Sequence, residues 1–163
     1  MPIATVTEVG VSAPRRRWFA DLKAEAFAWC VRTSSDQRLQ SVMRSRLRGV
    51  LLWQIFRTIC QRAQPDTRIN AVVEFRITGG RGGGIDRFQL TLTDGRCRTS
   101  RRGGHRPSLT LELGPVAFLR LVGGAVSAPR LLIAGKLKPR GDLIVALALP
   151  AALRLPGRRP SGR

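Results

Sequence analysis

Residues 108–149 read SLTLELGPVAFLRLVGGAVSAPRLLIAGKLKPRGDLIVALAL, and this stretch decides the fold. Leu109, Leu111 and Leu113 alternate with Thr110 and Glu112, as in a strand with one buried face. Gly114-Pro115 stops that strand and opens a helix, because proline at the first helical position loses only an N–H that has no partner there. Val116, Phe118, Leu119 and Val122 give the helix an apolar side, and Gly123-Gly124 ends it. After Pro129 comes a short apolar helical segment, 130–134. A glycine-bracketed basic strand follows, Gly135 to Gly141, and then a helix of nearly unbroken Leu, Ile, Val and Ala. Pro139 cannot donate to a ladder, so that strand is expected to be short and to lie at a sheet edge.

Upstream, two more stretches alternate. Ala71, Val73, Phe75 and Ile77 share one face against Val72, Glu74, Arg76 and Thr78; Phe88, Leu90 and Leu92 repeat the pattern. The glycine-rich GGRGGG, residues 79–84, joins them as a flexible hairpin, and Asp94-Gly95 is a tight-turn signal before a weaker strand at 96–100. Strands are therefore expected at about 69–78, 86–94, 96–100 and 107–113, with a fifth near 135–138. Two helices precede them. The first, about 15–32, spaces Trp18, Leu22, Ala26 and Trp29. The second, about 41–63, carries Leu47, Leu51, Ile55 and Ile59, widened by Leu52, Phe56 and Cys60, with Arg44, Arg48, Thr58 and Arg62 largely on the other side. Its stripe packs on the sheet or, alternatively, lies on a membrane surface. The fold class is α+β in two layers: an about five-stranded, mainly antiparallel sheet with helices covering one face. The chain divides into an N-terminal arm (1–13), a single domain (14–153) and a basic tail (154–163).

Gly135-Lys136-Leu137-Lys138, then Gly141-Asp142 before an apolar helix, resembles the signature of the sterol carrier protein type 2 family. The Leu-rich strand and its Gly-Pro-led helix stand at the distance that family shows. Pro139 departs from its pattern, where an aliphatic residue is usual. The resemblance is best over about 69–150, and the helix leading through Pro65-Asp66 into the first strand is similar to bacterial stand-alone members. It implies a non-enzymatic lipid-binding fold with an apolar tunnel between sheet and helices. The walls would come from Phe75, Ile77, Phe88, Leu90, Leu111, Phe118, Leu119, Leu132, Ile133, Leu143 and Val145, each of which also reads as ordinary core, and the final helix would gate the mouth. The implied partner is a fatty acyl or sterol-like lipid, with no cofactor.

Composition widens the alternatives. The 163 residues carry 29 Lys and Arg against 10 Asp and Glu, a net charge of +19, nearly all of it arginine. Such a balance favours anionic partners, or reflects biased base composition that enriches Arg, Ala and Gly together. Arg96, Arg98, Arg101, Arg102 and Arg106 form one basic cluster expected to touch anionic membranes; Arg15 to Arg17 form another. The same field would attract nucleic acid, so a basic nucleic-acid-binding protein, or a scaffold or accessory protein of an enzyme complex, is the alternative. It lacks a recognition helix and, with no tyrosine at all, evident stacking platforms.

Catalytic chemistry finds no constellation. His105 is the sole histidine and sits in a Gly/Arg-rich turn; Glu74, Asp86, Asp94 and Glu112 are scattered and read as surface or turn residues. There is no nucleophile elbow, no HExxH, and the GGRGGG glycines lead into a strand rather than a helix. Cys30, Cys60 and Cys97 are odd in number and far apart, which points to neither a disulfide framework nor zinc and suits a reducing cytoplasm. The N-terminus does not resemble a signal peptide, and no apolar run approaches a membrane span; the longest, Leu143 to Leu153, reads as a buried helix.

Overall fold

The structure, a computed structural model, describes residues 25–101 and 103–155. Within that range, residues 25–33 are helical (α1), followed by α2 (Asp36–Arg44) and α3 (Arg48–Arg62). The sheet strands are β1 (Ala71–Ile77), β2 (Asp86–Thr93), β3 (Arg96–Ser100), β4 (Leu109–Leu113) and β5 (Leu137–Gly141). Helices α4 (Pro115–Val122) and α5 (Ala128–Ile133) link β4 to β5, and α6 (Leu143–Ala152) follows β5. The strand-helix-helix-strand-helix order of residues 108–149 is thus present.

The five strands lie in the order β3-β2-β1-β4-β5. β1 and β4 run parallel, with Phe75 opposite Leu111; every other neighbouring pair is antiparallel. The parallel pair arises because the chain leaves β3 at one edge and reaches the far side of β1 by way of residues 103–108. That segment runs over the outer face, where the Gln89 side chain donates to the His105 carbonyl and the Ser108 amide donates to the Val72 carbonyl. β5 is an edge strand of five residues with Pro139 opposite Leu111, as proline demands. Asp94 and Gly95 both have positive φ, 51° and 70°, the backbone of a two-residue turn whose twist matches its strands.

The inner face of the sheet presents Val73, Phe75, Ile77, Phe88, Leu90, Leu92, Leu109, Leu111 and Leu113, all buried. Phe56 of α3 inserts into it, its ring 4.5 Å from Phe88, 5.1 Å from Phe118 and 5.2 Å from Phe75. Such ring pairs add about 0.5–1.5 kcal/mol each beyond burial.

Several expectations are corrected. The helix expected at 41–63 is two helices, broken at Ser45, whose backbone leaves the helical region with ψ 162°. Arg48, expected on the polar side, is buried, while Leu47 is exposed. In α1 the packed residues are Ala28 and Val31, not Ala26 and Trp29; Trp18 and Leu22 lie outside the described residues. Cys60 of α3 and Cys97 of β3 form a disulfide, with Cα atoms 5.1 Å apart. Their 37-residue separation hid a proximity that the packing of α3 on β3 creates, and the argument from free thiols to a reducing compartment falls with it. Finally, α6 is not a buried helix. It starts beside the edge strand, so only one side packs, and Leu143, Ile144 and Leu147 are exposed.

Candidate functional site

The Gly135–Asp142 signature is explained by backbone needs. At the end of α5 the Gly135 amide donates to the Leu132 carbonyl and the Lys136 amide to the Leu131 carbonyl, with Gly135 at φ 65°. This left-handed cap reverses the chain out of the helix and into β5. Gly141, at φ 115°, passes so close to Ser108 that an added Cβ would sit 2.3 Å from its carbonyl oxygen. Asp142 then caps α6, its carboxylate accepting from the Ile144 and Val145 amides at 2.8 and 3.3 Å.

The first of these turns, at Gly135 and Lys136, borders a cleft of about 680 Å³ at the end of the sheet where β4 finishes and β5 begins. Its floor is apolar: Leu113 of β4, Val116 and Ala117 of α4, Val126, and Leu131 of α5. One side is α2, which contributes Asp36 and Gln40. The rim carries Arg120, Arg130, Lys136 and Lys138 against Asp36 and Glu112. Arg120 is committed to Asp36, at 2.5 Å. Among the described residues Arg130, Lys136 and Lys138 make no ion pair, and all three are exposed. An apolar floor under a rim with more cations than carboxylates suits a molecule with an apolar body and an anionic head.

None of the eleven expected wall residues lines this cleft. Phe75, Ile77, Phe88, Leu90, Leu111, Phe118 and Leu119 belong to the buried cluster around Phe56. Leu132 and Ile133 lie exposed at the end of α5, Leu143 is exposed at the start of α6, and Val145 is half-buried beside the core. Of the basic cluster, Arg96 and Arg98 are exposed on β3 and Arg106 on the crossing segment. Arg101 instead reaches the Gly49 carbonyl at 2.7 Å and covers the Trp53 ring at 5.3 Å. Arg102 and Arg15 to Arg17 lie outside the described residues.

Two polar groups that the sequence reading placed at the surface are buried. The Arg48 guanidinium donates to Asp86 at 2.6 Å and to the carbonyls of Gly79 (2.5 Å), Thr78 (2.8 Å), Ile77 (3.2 Å) and Met43 (3.3 Å). It thereby ties the α2–α3 break to the end of β1 and the glycine-rich turn, where a short 3-10 segment spans Arg81–Gly83. Glu74 is buried on the outer face beneath the crossing segment. Burial alone pushes its carboxyl pKa up, but hydrogen bonds from Arg76 and Gln89, and the charges of Arg76 and Arg87, outweigh it. The net shift is downward. A Glu two residues before Arg76 on its own strand and diagonal to Arg87 on the next was the available signal. Among the described residues no three His, Cys, Asp or Glu side chains gather to hold a metal ion, and no helix is long and apolar enough to cross a membrane.

A mixed five-stranded sheet with helices on one face and an amphipathic cleft at its end defines a two-layer α+β architecture. The match to known families makes this specific: residues 54–154 fit the SCP-2 sterol transfer family, and the chain belongs to it. Among solved structures, the sterol carrier protein domain 2 of Helicoverpa armigera is 19% identical with a TM-score of 0.50, covering 65% of this chain and 80% of its own. Palmitated SCP2L2 from Aedes aegypti is 16% identical with a TM-score of 0.51, covering 67% and 96%. The MycE methyltransferase of mycinamycin biosynthesis shares 16% identity with a TM-score of 0.59, over 86% of this chain and 39% of the enzyme. At these identities the likeness is one of fold. No curated protein sequence matches the chain.

Proposed function

We propose that the protein is a non-enzymatic binder and carrier of a lipid with an anionic head group, held in the cleft between α2, α4, α5 and the β4–β5 margin. The observation that carries this reading is the cleft itself: about 680 Å³, within the usual range for small-molecule sites, with an apolar floor and, on its rim, Arg130, Lys136 and Lys138, which make no ion pair among the described residues. Family membership supports a hydrophobic ligand, and one similar structure is described as palmitated. The apolar body of the ligand would lie on Leu113, Val116 and Leu131, while Arg130 and Lys136 meet its head. No covalent chemistry is required, since burial of apolar surface at about 25 cal/mol per Å² supplies the affinity. Loading and unloading at an anionic bilayer would draw on the basic surface.

The test is uptake of a fluorescent fatty acid in solution. Ala117→Trp, which fills the cleft, is expected to abolish uptake, and Arg130→Glu with Lys136→Glu to weaken it at least tenfold. Uptake unchanged in both folded variants would refute the assignment.

A further inference from the structure

The outer face of the sheet is built unlike its inner face. Among the described residues no helix lies on it, and only the segment 103–108 crosses it. By strand register it carries Arg76, Arg87, Arg96, Arg98, Lys138 and Arg140, all but Arg76 exposed. The outward carboxylates on these strands are Glu74, which is buried and bonded to Arg76 at 2.6 Å, and Glu112. Arg76 stands directly opposite Arg87, and Glu74 between them offsets only one of the two charges. Four inter-strand gaps make the face about 19 Å wide.

We propose that this face is a docking surface for an anionic bilayer. The inference deepens the carrier reading and rests on it, because it names the surface through which the carrier reaches its lipid. Two observations select a bilayer. Lys138 and Glu112 stand on the outer face and also line the cleft, so a bilayer beneath the face lies against the cleft margin. The strands present no aromatic ring outward, so the base stacking that single-stranded nucleic acid relies on has no platform here. The attraction is a sum of point charges near the lipid surface, each changing affinity about fivefold, and it weakens with salt.

The experiment is flotation of the full chain with vesicles of phosphatidylcholine doped with phosphatidylglycerol, against phosphatidylcholine alone. Arg87, Arg98 and Arg140 are replaced together by Gln; none lines the cleft. Binding to the doped vesicles is expected to fall about a hundredfold, three successive fivefold losses. The corresponding Lys triple variant should retain it. Fatty acid uptake, measured without vesicles, should be unchanged in the Gln variant, which separates failure of this face from failure of the cleft. The proposal is overturned if the Gln variant floats as well as the parent, or if the parent binds both vesicle types equally. It is also overturned if a nucleic acid duplex binds the parent more tightly than the doped vesicles do.

Discussion

Replacing Arg48 by Met keeps most of the side-chain volume and removes the guanidinium. The structure sets the size of the effect. Arg48 is 7% exposed and donates to one carboxylate and four backbone carbonyls. Removing one member of a buried ion pair costs about 3–5 kcal/mol when its partner is left without water. Here the Asp86 side chain is 38% exposed and can be hydrated, which places the expected loss at the lower end, about 3 kcal/mol. For a chain of this length that lowers Tm by about 6–12 °C. The assay is urea unfolding followed by circular dichroism, with the slope checked to confirm that the transition stays cooperative. Asp86→Asn keeps an acceptor but leaves the buried guanidinium without its counter-charge, so it should cost at least as much, about 3 kcal/mol. A loss below about 1 kcal/mol for Arg48→Met would refute the reasoning, because Arg48 would then not hold the α2–α3 break to the end of β1.

The disulfide and Glu74 offer further tests. Cys97→Ser should lower stability by about 4 kcal/mol, the chain-entropy value for opening a loop of this span, and reduction of the parent protein should match it; no change in either would show that the link contributes nothing. Glu74 has a folded pKa below its unfolded value of about 4.3, so the unfolded chain binds its proton more readily. Its contribution is therefore complete above about pH 4.3 and disappears as pH falls through the lower folded value. Urea unfolding across that acidic range should show a flatter pH dependence in Glu74→Gln than in the parent, and identical slopes would contradict the assignment.

The legible part of this fold was the part governed by local rules. Alternation located β1, β2 and β4; Pro139 placed β5 at an edge; Asp94-Gly95 marked its turn. The glycines and aspartate of residues 135–142 carried the family resemblance, and their backbone conformations show why those residue types stand there. What local rules do not contain stayed hidden. Periodicity assigns a residue to a face but does not say that the face is covered: Glu74 alternates as an outward residue and is buried by a loop that crosses from β3 to β4. Arg48 has the type of a surface residue, yet four long-range acceptors and the nearby Met43 carbonyl converge on it. The Cys60–Cys97 link follows from α3 lying across β3, a contact with no sequence signature. Of the expected tunnel walls, the seven on β1, β2, β4 and α4 are packed into the cluster around Phe56, while Leu132, Ile133 and Leu143 stand exposed. The cleft lies one step away, at the ends of the same elements, where Leu131, Lys136 and Lys138 are neighbours of residues the resemblance had already singled out.

The central claim is that the protein carries an amphiphile in that cleft. Native mass spectrometry of the purified protein, followed by organic extraction, tests it most directly. The account predicts an added mass at close to one ligand per chain, released by extraction as a lipid with an anionic head and lost in Ala117→Trp. A bare protein mass, together with no uptake of a fluorescent fatty acid afterwards, would contradict it.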